Sequence, residues 1–403
     1  MSEAEEIIRL AGRGDGLTAS GKFVPGTAPG DRVRFLGEET EIIKGPHHMA
    51  AACVHYGLCG GCQLQHIDSE SYALWAKERI IHALAQQNIA PQEILPVHIS
   101  PVATRRRVAL RARRMGKKML IGFNAEASHD IVDISACAVM HPDIFALIAP
   151  LRALMQKLLE ERHTIGISLT LADSGIDMLL SNMTAEKLPI LEALTDFAEH
   201  HDIARLSVED QSGLFTIAAR REVQLKMGDV DVVLPPAPFL QATADGEAAL
   251  VQAVCDICGT AGKIADLFCG LGTFALPLSR KAQILAADGA RPAIEALQSA
   301  SRRAGRKIMV QHRDLFRNSL RASELNGFDA VVIDPPRAGA SAQSAELAQS
   351  KVPIVASVSC NPATFARDAK ILTDGGYDLQ RLWVVAQFRW SNHIELVGEF
   401  KRI

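Results

Sequence analysis

The feature that most constrains the fold is an alternation of strand-like and helix-like segments from Pro238 to the carboxyl end. Seven short apolar stretches of β type occur there, at 263–268, 284–288, 308–312, 329–334, 353–360, 382–387 and 393–400. Strands that alternate with helices predict a doubly wound, Rossmann-like α/β domain. Ligands of such sheets bind beyond the carboxyl ends of the strands. Functional residues are therefore expected directly after these stretches.

The remainder of the chain predicts two further parts. Turn signals at Asp15-Gly16 and Pro25-Gly26, with short strands near 22–24 and 32–35, are typical of a small β-barrel-like module. A helix over 71–87 and strands such as 165–171 and 178–181 predict a mixed α+β region. We therefore predict a short β segment at 1–45, a central domain at 46–235 and the α/β domain at 236–403.

Charge and hydropathy exclude several classes of protein. With 43 basic and 46 acidic residues the net charge is −3, which excludes a globally basic nucleic-acid binder but allows a local patch. The apolar stretch 144–159 is interrupted by Pro150, Arg152 and Lys157, so no membrane span is expected. The acidic amino end is unlike a secretory signal. We expect a cytoplasmic monomer without a membrane partner.

Four of the eight cysteines form a candidate metal site. Three thiols lie within ten residues, two of them separated only by Gly60-Gly61, and a fourth lies further along; they are Cys53, Cys59, Cys62 and Cys137. Disulfides are rare in cytoplasmic proteins, so this spacing indicates an iron–sulfur site or a zinc site with four thiolates. Cys255 and Cys258 fall in a helical pattern and are predicted to bind no cofactor.

The first strands of the α/β domain predict a nucleotide-type pocket. The segment 266–273, DLFCGLGT, has two glycines that let a ligand approach the backbone. Asp288 ends the next strand and could bind ribose hydroxyls, and Asp314 follows the third and could face an adenine edge. Ala275 occupies the third glycine position of the dinucleotide fingerprint, which favours S-adenosylmethionine over NAD or FAD.

Later strand ends carry a candidate nucleophile and a candidate base. Asp334 is followed by two prolines, which make a rigid exit from the strand. Cys360 lies at a strand end next to a helix start, and this position predicts a reactive thiolate of lowered pKa. Glu395 precedes an apolar strand and could act as a general base. An inert buried cysteine and a solvated glutamate are the alternatives.

Together, the segments DLFCGLGTF, DPPR, SCNP and H-x-E resemble the RNA uracil-5 methyltransferases that use S-adenosylmethionine. The resemblance covers nearly the whole chain and includes the family's P-x-x-F-x-Q segment, at 236–241. It implies that Cys360 is the nucleophile and Glu395 the base. The implied cofactor contacts are Gln241, Phe268, Thr273, Asp288, Asp314 and Asp334. This chain departs from the family pattern at 242–243 and at 388–391, where FRWS replaces F-P-x-T.

The chemistry of the reaction explains these residue types. C5 of uracil is a poor nucleophile until a thiolate adds to C6 and makes the ring an enolate. After C5 accepts the methyl group, a base must remove its proton so that the thiol can leave. The target base must also leave its stack, which favours loops and single strands of RNA.

The resemblance extends to the cysteines and to the amino-terminal segment. Some family members carry a [4Fe-4S] cluster on C-x5-C-G-G-C plus a later cysteine, so the four candidate cysteines are implied as its ligands, with a role in folding the RNA-binding region. The first ~45 residues resemble a shortened TRAM domain, an RNA-binding β-barrel. These two features favour 23S ribosomal RNA over transfer RNA. The segment 105–118 has eight basic and no acidic residues and is the predicted phosphate-binding patch.

Four alternatives remain open. A transfer-RNA uracil-5 methyltransferase would use the same chemistry. A cytosine-5 methyltransferase would need a second cysteine where Pro336-Arg337 stands, and would give Glu395 no role. An iron–sulfur redox or radical enzyme would have C-x3-C-x2-C spacing, which is absent from the sequence, and would leave Cys360 unexplained. A non-catalytic iron–sulfur RNA-binding protein would tolerate substitution of Cys360 and Glu395.

Overall fold

A computed structural model of the chain describes residues 3–37 and 39–403. The amino-terminal segment is an antiparallel sheet of order β3-β2-β1-β4-β5. Its strands are β1 (Glu5–Leu10), β2 (Gly16–Thr18), β3 (Phe23–Val24), β4 (Arg32–Leu36) and β5 (Glu39–Ile43). Ile7, Val24 and Val33 form a small core of its own. This curled sheet fits the predicted barrel-like segment, and both predicted strands are confirmed.

The next elements pack against the carboxyl-terminal half of the chain. Helix α1 (Ser69–Ala85) begins after Asp68, whose carboxylate accepts the backbone N–H of Ser71 at 2.7 Å. Its buried Tyr72 and Trp75 join the core of the large carboxyl-terminal sheet. The predicted helix is confirmed, two residues earlier than expected. Two short strands follow, β6 (Glu93–Ile94) and β7 (His98–Ile99).

The central region is a six-stranded sheet with helices on one face. Its strands are β8 (Arg107–Met115), β9 (Lys118–Gly122), β10 (Thr164–Ala172), β11 (Gly175–Ser181), β12 (Arg205–Asp210) and β13 (Gly213–Ala219). Their order is β13-β12-β11-β10-β8-β9. Helices α2 (Pro142–Phe145), α3 (Ile148–Leu158) and α4 (Leu188–His200) cover the apolar face. Strands β14 (Gln224–Met227) and β15 (Val230–Val233) form a separate hairpin.

Strand β8 has the alternation that the sequence predicts. Val108, Leu110 and Ala112 are buried in the central core. Arg107 and Arg111 alternate with them, and they therefore point to the face opposite the helices. The predicted basic face is thus present as a structural feature.

The carboxyl-terminal region is a Rossmann-like α/β fold, as predicted. Its strands are β16 (Lys263–Leu267), β17 (Gln283–Asp288), β18 (Ile308–His312), β19 (Ala330–Ile333), β20 (Ile354–Ser359), β21 (Tyr377–Ala386) and β22 (Glu395–Arg402). The helices are α5 (Ala244–Cys258), α6 (Ala275–Leu278), α7 (Arg291–Arg303), α8 (Ala322–Leu325), α9 (Ser341–Gln349) and α10 (Pro362–Asp374). The strand order is β18-β17-β16-β19-β20-β22-β21, with β22 antiparallel to both neighbours. All seven predicted strands occur, and Cys255 and Cys258 lie on α5 as expected.

One feature of this sheet involves an earlier part of the chain. Strands β6 and β7, which belong to the predicted central range, pair in parallel with the edge strand β21. The predicted domain limits at 45 and 235 stay a prediction, and residues 69–99 pack with the carboxyl-terminal fold. Within the described ranges, no helix is long and apolar enough to cross a membrane.

Candidate active site

A cavity of about 960 Å³ opens at the carboxyl ends of the parallel strands. All eight residues implied for methyl transfer line it: Gln241, Phe268, Thr273, Asp288, Asp314, Asp334, Cys360 and Glu395. Ala109 and Phe123 of the central region, and Gln63 near the cysteines, line it as well. The cavity therefore lies between the carboxyl-terminal sheet and the earlier parts of the chain.

The turn after β16 contains two glycines with positive φ, Gly270 at 52° and Gly272 at 94°. A Cβ at Gly272 would lie 2.5 Å from Cδ1 of Leu297, so packing requires a glycine there, whereas no described atom lies within 4 Å of a Cβ at Gly270, which leaves room for a ligand. The Asp288 carboxylate accepts the backbone N–H of Gly270 at 2.9 Å through Oδ2 and that of Ala290 at 2.7 Å through Oδ1. Asp288 thus fixes the glycine turn as well as facing the cavity.

Two aromatic rings border the same part of the cavity. The rings of Phe268 and Phe316 lie 5.3 Å apart between centroids, tilted by 56°. Asp314 Oδ1 accepts the backbone N–H of Phe316 at 3.0 Å. The carboxylate therefore orients the loop that carries the second ring, beside the glycine turn.

Strands β20 and β22 bring the candidate nucleophile and base together. In their antiparallel register the last pair is Ser359 opposite Leu396, and Cys360 and Glu395 come next at the same end of the two strands. Both side chains line the cavity, and the charge of Glu395 acts on the Cys360 thiol. Glu395 is only 6% exposed. Cys360 is partly buried, two residues before α10, whose first turn is capped by the Asn361 side chain.

Three of the groups that line this cavity, Glu395, Asp334 and Cys360, have raised pKa values. Burial, with the nearby Asp334 carboxylate, raises the pKa of Glu395 to about 8. Burial and the charge of Asp288 raise the pKa of Asp334 to about 7. Each charged form is disfavoured because little water remains and the groups are of like charge.

The prediction of a lowered pKa for Cys360 is wrong. Burial first, and then the negative charges of Glu395 and Asp334, raise its pKa to about 11. These effects exceed the stabilisation that the nearby helix start could give a thiolate. Arg337, which also lines the cavity, is the positive group that acts in the opposite direction.

Gln387 is a site residue that the sequence analysis missed. It is 2% exposed, and its Nε2 donates to Oε1 of Gln241 at 2.6 Å. Its Oε1 accepts the backbone N–H of Ala242 at 2.9 Å, and its side chain also hydrogen-bonds to Glu395. Gln387 follows directly after β21, so the rule of looking beyond each strand end could have found it.

The four candidate cysteines line a second, small cavity of about 20 Å³. Arg105 borders both this cavity and the larger one. Burial raises the pKa of Cys59, and that of Cys62 to about 11, while the charge of Arg105 acts in the opposite direction. Among residues 3–37 and 39–403, no three His, Cys, Asp or Glu side chains are grouped as metal ligands. The predicted iron–sulfur cluster is therefore not confirmed, although four thiols beside a buried cation suit it chemically.

Comparison with known proteins identifies the class and then the family. The crystal structure of Pyrococcus abyssi tRNA (uracil-54, C5)-methyltransferase in complex with S-adenosyl-L-homocysteine is similar over 98% of this chain and 99% of its own, with a TM-score of 0.75 and 23% identity. This likeness shows that the two chains share a fold. The family described as tRNA (Uracil-5-)-methyltransferase matches residues 232–401.

Two relatives extend the match over the whole chain. An uncharacterized RNA methyltransferase of Zymomonas mobilis is 44% identical over 99% of this chain and 100% of its own length. A 23S rRNA (uracil(1939)-C(5))-methyltransferase of Chromohalobacter salexigens is 33% identical over 96% of this chain and 87% of its own length. The chain belongs to the RNA uracil-5 methyltransferase family, whose members depend on S-adenosylmethionine.

Proposed function

We propose that the chain methylates C5 of a uridine in 23S ribosomal RNA, with Cys360 as the nucleophile and Glu395 as the base. The observation that carries this mechanism is that Cys360 and Glu395 follow the last register pair of β20 and β22 and line the same cavity. A thiol and a carboxyl group at one end of two neighbouring strands can reach adjacent ring carbons, C6 and C5, of one base.

The steps follow from these two side chains. The Cys360 thiolate adds to C6 of the uracil, and the ring becomes an enolate that is nucleophilic at C5. S-adenosylmethionine, when bound, would supply the methyl group from its sulfonium, and S-adenosylhomocysteine, a neutral thioether, would be the leaving group. Glu395 then takes the C5 proton, the C5–C6 double bond reforms, and the Cys360–C6 bond breaks to release the thiolate.

The raised pKa values suit a base that must hold and release a proton near neutral pH. Glu395, with a pKa of about 8, can exchange a proton at working pH, whereas an ordinary glutamate would be a weak base. The pKa of Cys360, about 11, keeps it as a thiol in the free protein. Arg337 lowers that pKa, and added positive charge in the cavity would lower it further.

We propose that the cofactor lies along the carboxyl ends of β16 to β19. Gln241, Phe268, Thr273, Asp288, Asp314 and Asp334 would hold it. The glycine turn fixed by Asp288 supports this position, because it leaves the backbone accessible. The aromatic pair Phe268 and Phe316 offers an apolar surface beside Asp314 for a purine ring.

We further propose that Cys53, Cys59, Cys62 and Cys137 hold a [4Fe-4S] cluster with a structural role. Four thiols line one small cavity, and the buried Arg105 beside them would offset the negative charge of a thiolate-bound cluster. The cluster would stabilise the fold there and take no part in the methyl transfer.

The preference for ribosomal RNA is supported by the relative from Chromohalobacter salexigens and by the TRAM-like amino-terminal sheet. Transfer RNA is the second candidate, because the similar Pyrococcus abyssi structure is named as a tRNA methyltransferase. The basic face of β8, on the side of its sheet away from the helices, would contact RNA phosphates.

One experiment tests chemistry and substrate together. The protein, purified without oxygen, is incubated with S-adenosylmethionine and with unmodified ribosomal or transfer RNA, and the digested nucleosides are identified by mass spectrometry. We expect 5-methyluridine in ribosomal RNA only, none with Cys360→Ala, and normal yield with Cys255→Ala, a half-buried cysteine on α5. If 5-methyluridine forms in transfer RNA alone, the proposed ribosomal RNA substrate is wrong. If 5-methylcytidine forms, or if Cys360→Ala gives an unchanged yield, the proposed mechanism is wrong.

The metal proposal is tested on the same preparation. We expect about four iron and four sulfide per chain for a [4Fe-4S] cluster, with little zinc. Loss of iron in Cys137→Ala would link this distant cysteine to the site. If the analysis finds zinc instead of iron, the four cysteines hold a zinc ion and not an iron–sulfur cluster.

A further inference from the structure

The loop that leads into Glu395, residues 388–394, is held by a segment that begins at the cysteines. Its backbone carbonyl groups accept hydrogen bonds from this segment rather than from a neighbouring strand. The contacts are Gln63 N–H (2.8 Å) and Leu64 N–H (2.9 Å) to Trp390 O, the Tyr72 hydroxyl to Phe388 O (3.3 Å) and Ser391 O (3.4 Å), and Arg79 to Asn392 O.

Gln63 makes the most direct connection. Besides its backbone bond to Trp390, its Oε1 accepts the backbone N–H of Asn392 at 3.3 Å. Its Nε2 donates to the carbonyl oxygen of Gly60 at 2.8 Å, within the turn between Cys59 and Cys62. One side chain therefore bridges the cysteine turn and the loop that precedes the base.

The local conformation of this loop needs such support. Trp390 has a φ of 62°, in the left-handed region that bulky residues seldom adopt. The Arg389 guanidinium lies 4.8 Å from the Trp390 ring and donates to Ser100 O at 3.0 Å. A backbone of this kind persists when surrounding contacts fix it. The position of Glu395 thus depends on contacts outside its own strand.

We propose that Gln63 is a positioning residue for methyl transfer: it ties loop 388–394, and through it Glu395, to the cysteine turn. This inference rests on the proposed role of Glu395 as the base. It gives the cysteine segment a task in turnover that needs no electron transfer, because the turn supports the loop that leads into the base.

The two chemical stages respond differently to a displaced base. Addition of Cys360 to C6 and methyl transfer to C5 do not need Glu395, whereas removal of the C5 proton and cleavage of the Cys360–C6 bond do. A loosened loop should therefore slow the second stage. Enzyme that remains covalently joined to methylated RNA would accumulate, and binding of the cofactor would be unaffected.

The test compares Gln63→Met with Gln63→Glu and with a matched control, Gln252→Met, on the exposed face of α5. Methionine has a similar length and no hydrogen bonds, whereas glutamate keeps the acceptor for Asn392 N–H. All proteins are compared at equal iron content. Where a variant holds less iron, the reference is wild-type protein from which the same fraction of iron has been removed. The readouts are kcat, the KM for S-adenosylmethionine, the covalent enzyme–RNA fraction on denaturing gels, and amide hydrogen exchange.

For Gln63→Met we expect kcat to fall roughly 5–10-fold, the loss expected for one or two hydrogen bonds, with unchanged KM for the cofactor. The covalent fraction should rise, Gln63→Glu should lie closer to wild type, and amides of 388–394 should exchange faster while those of β16 do not. The inference would be overturned if Gln63→Met had the same kcat and the same covalent fraction as wild type. It would also be overturned if the amides of residues 388–394 exchanged at the wild-type rate. Amide hydrogen exchange tests the loop contact without any turnover. Failure of the proposed function would be recognised separately, because the wild-type protein would then form no 5-methyluridine.

Discussion

Arg106 and Glu247 form a buried ion pair, with Nη2 and Oε2 2.7 Å apart, that joins the start of the central sheet to helix α5. Both side chains are about one-tenth exposed. The backbone N–H of Arg106 also donates to Ala242 O at 2.9 Å, and its Nε donates to Gln241 O at 3.3 Å. The same arginine therefore fixes the segment that carries a predicted cofactor contact.

Removal of one member of this pair should be costly. In Glu247→Leu the Arg106 charge stays buried without a partner, and we expect a loss of about 3–5 kcal/mol in the free energy of unfolding. The double variant Arg106→Met/Glu247→Leu should recover most of it, because no unpaired charge remains. Thermal unfolding of the three proteins measures this. Equal loss in the single and double variants would show that packing, rather than the unpaired charge, dominates.

The thiol of Cys360 should react slowly with iodoacetamide in the free protein. With a pKa of about 11, its thiolate fraction at pH 8 is far below that of an ordinary cysteine. Glu395→Gln removes one of the charges that raise this pKa, so alkylation at pH 9.5 should become several-fold faster. Peptide mass spectrometry follows Cys360 directly, with an unstructured cysteine-containing peptide in the same solution as the reference. An equally fast reaction of Cys360 and this peptide at pH 8 would contradict the raised pKa.

Stability should depend on pH through Glu395. Its pKa is near 4.5 when unfolded and about 8 when folded, so between these values the unfolded chain has released a proton that the folded chain keeps. The folded state is therefore favoured at low pH and loses this contribution as the pH rises toward 8. Glu395→Gln should raise Tm more at pH 8.5 than at pH 5, whereas Glu295→Gln, an exposed glutamate, should show no such difference. A shift that is the same at both pH values would rule out a buried neutral Glu395.

RNA binding should depend on the basic face of β8. Arg111 is exposed there and points away from the helices. Arg111→Ala should weaken binding to ribosomal RNA and reduce the slope of log K against log salt by about one unit, if it contacts one phosphate. Lys307→Ala, exposed at the far edge of the carboxyl-terminal sheet, is the matched control. A salt slope that is equal in both variants would exclude this face from the interface.

Much of the fold was predictable because the periodicity was clear. Most strands of the carboxyl-terminal sheet alternate with helices, and the inner strands, such as β19 and β20, are buried on both faces and read as short apolar runs. The rule that ligands lie beyond strand ends then identified residues such as Asp288, Asp334 and Cys360, which do line one cavity. Local sequence and a general rule of sheet topology were sufficient for this part.

The electrostatics of the site were not predictable from local sequence. The position of Cys360 before a helix favours a thiolate, yet its pKa depends on burial and on Glu395 and Asp334, which are distant in the chain. Gln63 was missed for a related reason, because its role arises from contacts with Trp390, which is distant in the chain. Gln387 could have been found from its position after β21, but no local pattern signals that its partner is Gln241.

The pairing of β6 and β7 with β21 bears on how such a chain can change during evolution. The methyltransferase sheet is finished by strands encoded nearly three hundred residues before its last one. A gene fusion that transplanted only residues 236–403 would carry an uncovered edge, whose free N–H and C=O groups invite pairing with other chains. The carboxyl-terminal fold therefore cannot be moved to another protein without the segment that carries β6 and β7. New substrate specificities would arise by mutation of the preceding segments and not by their replacement with other domains.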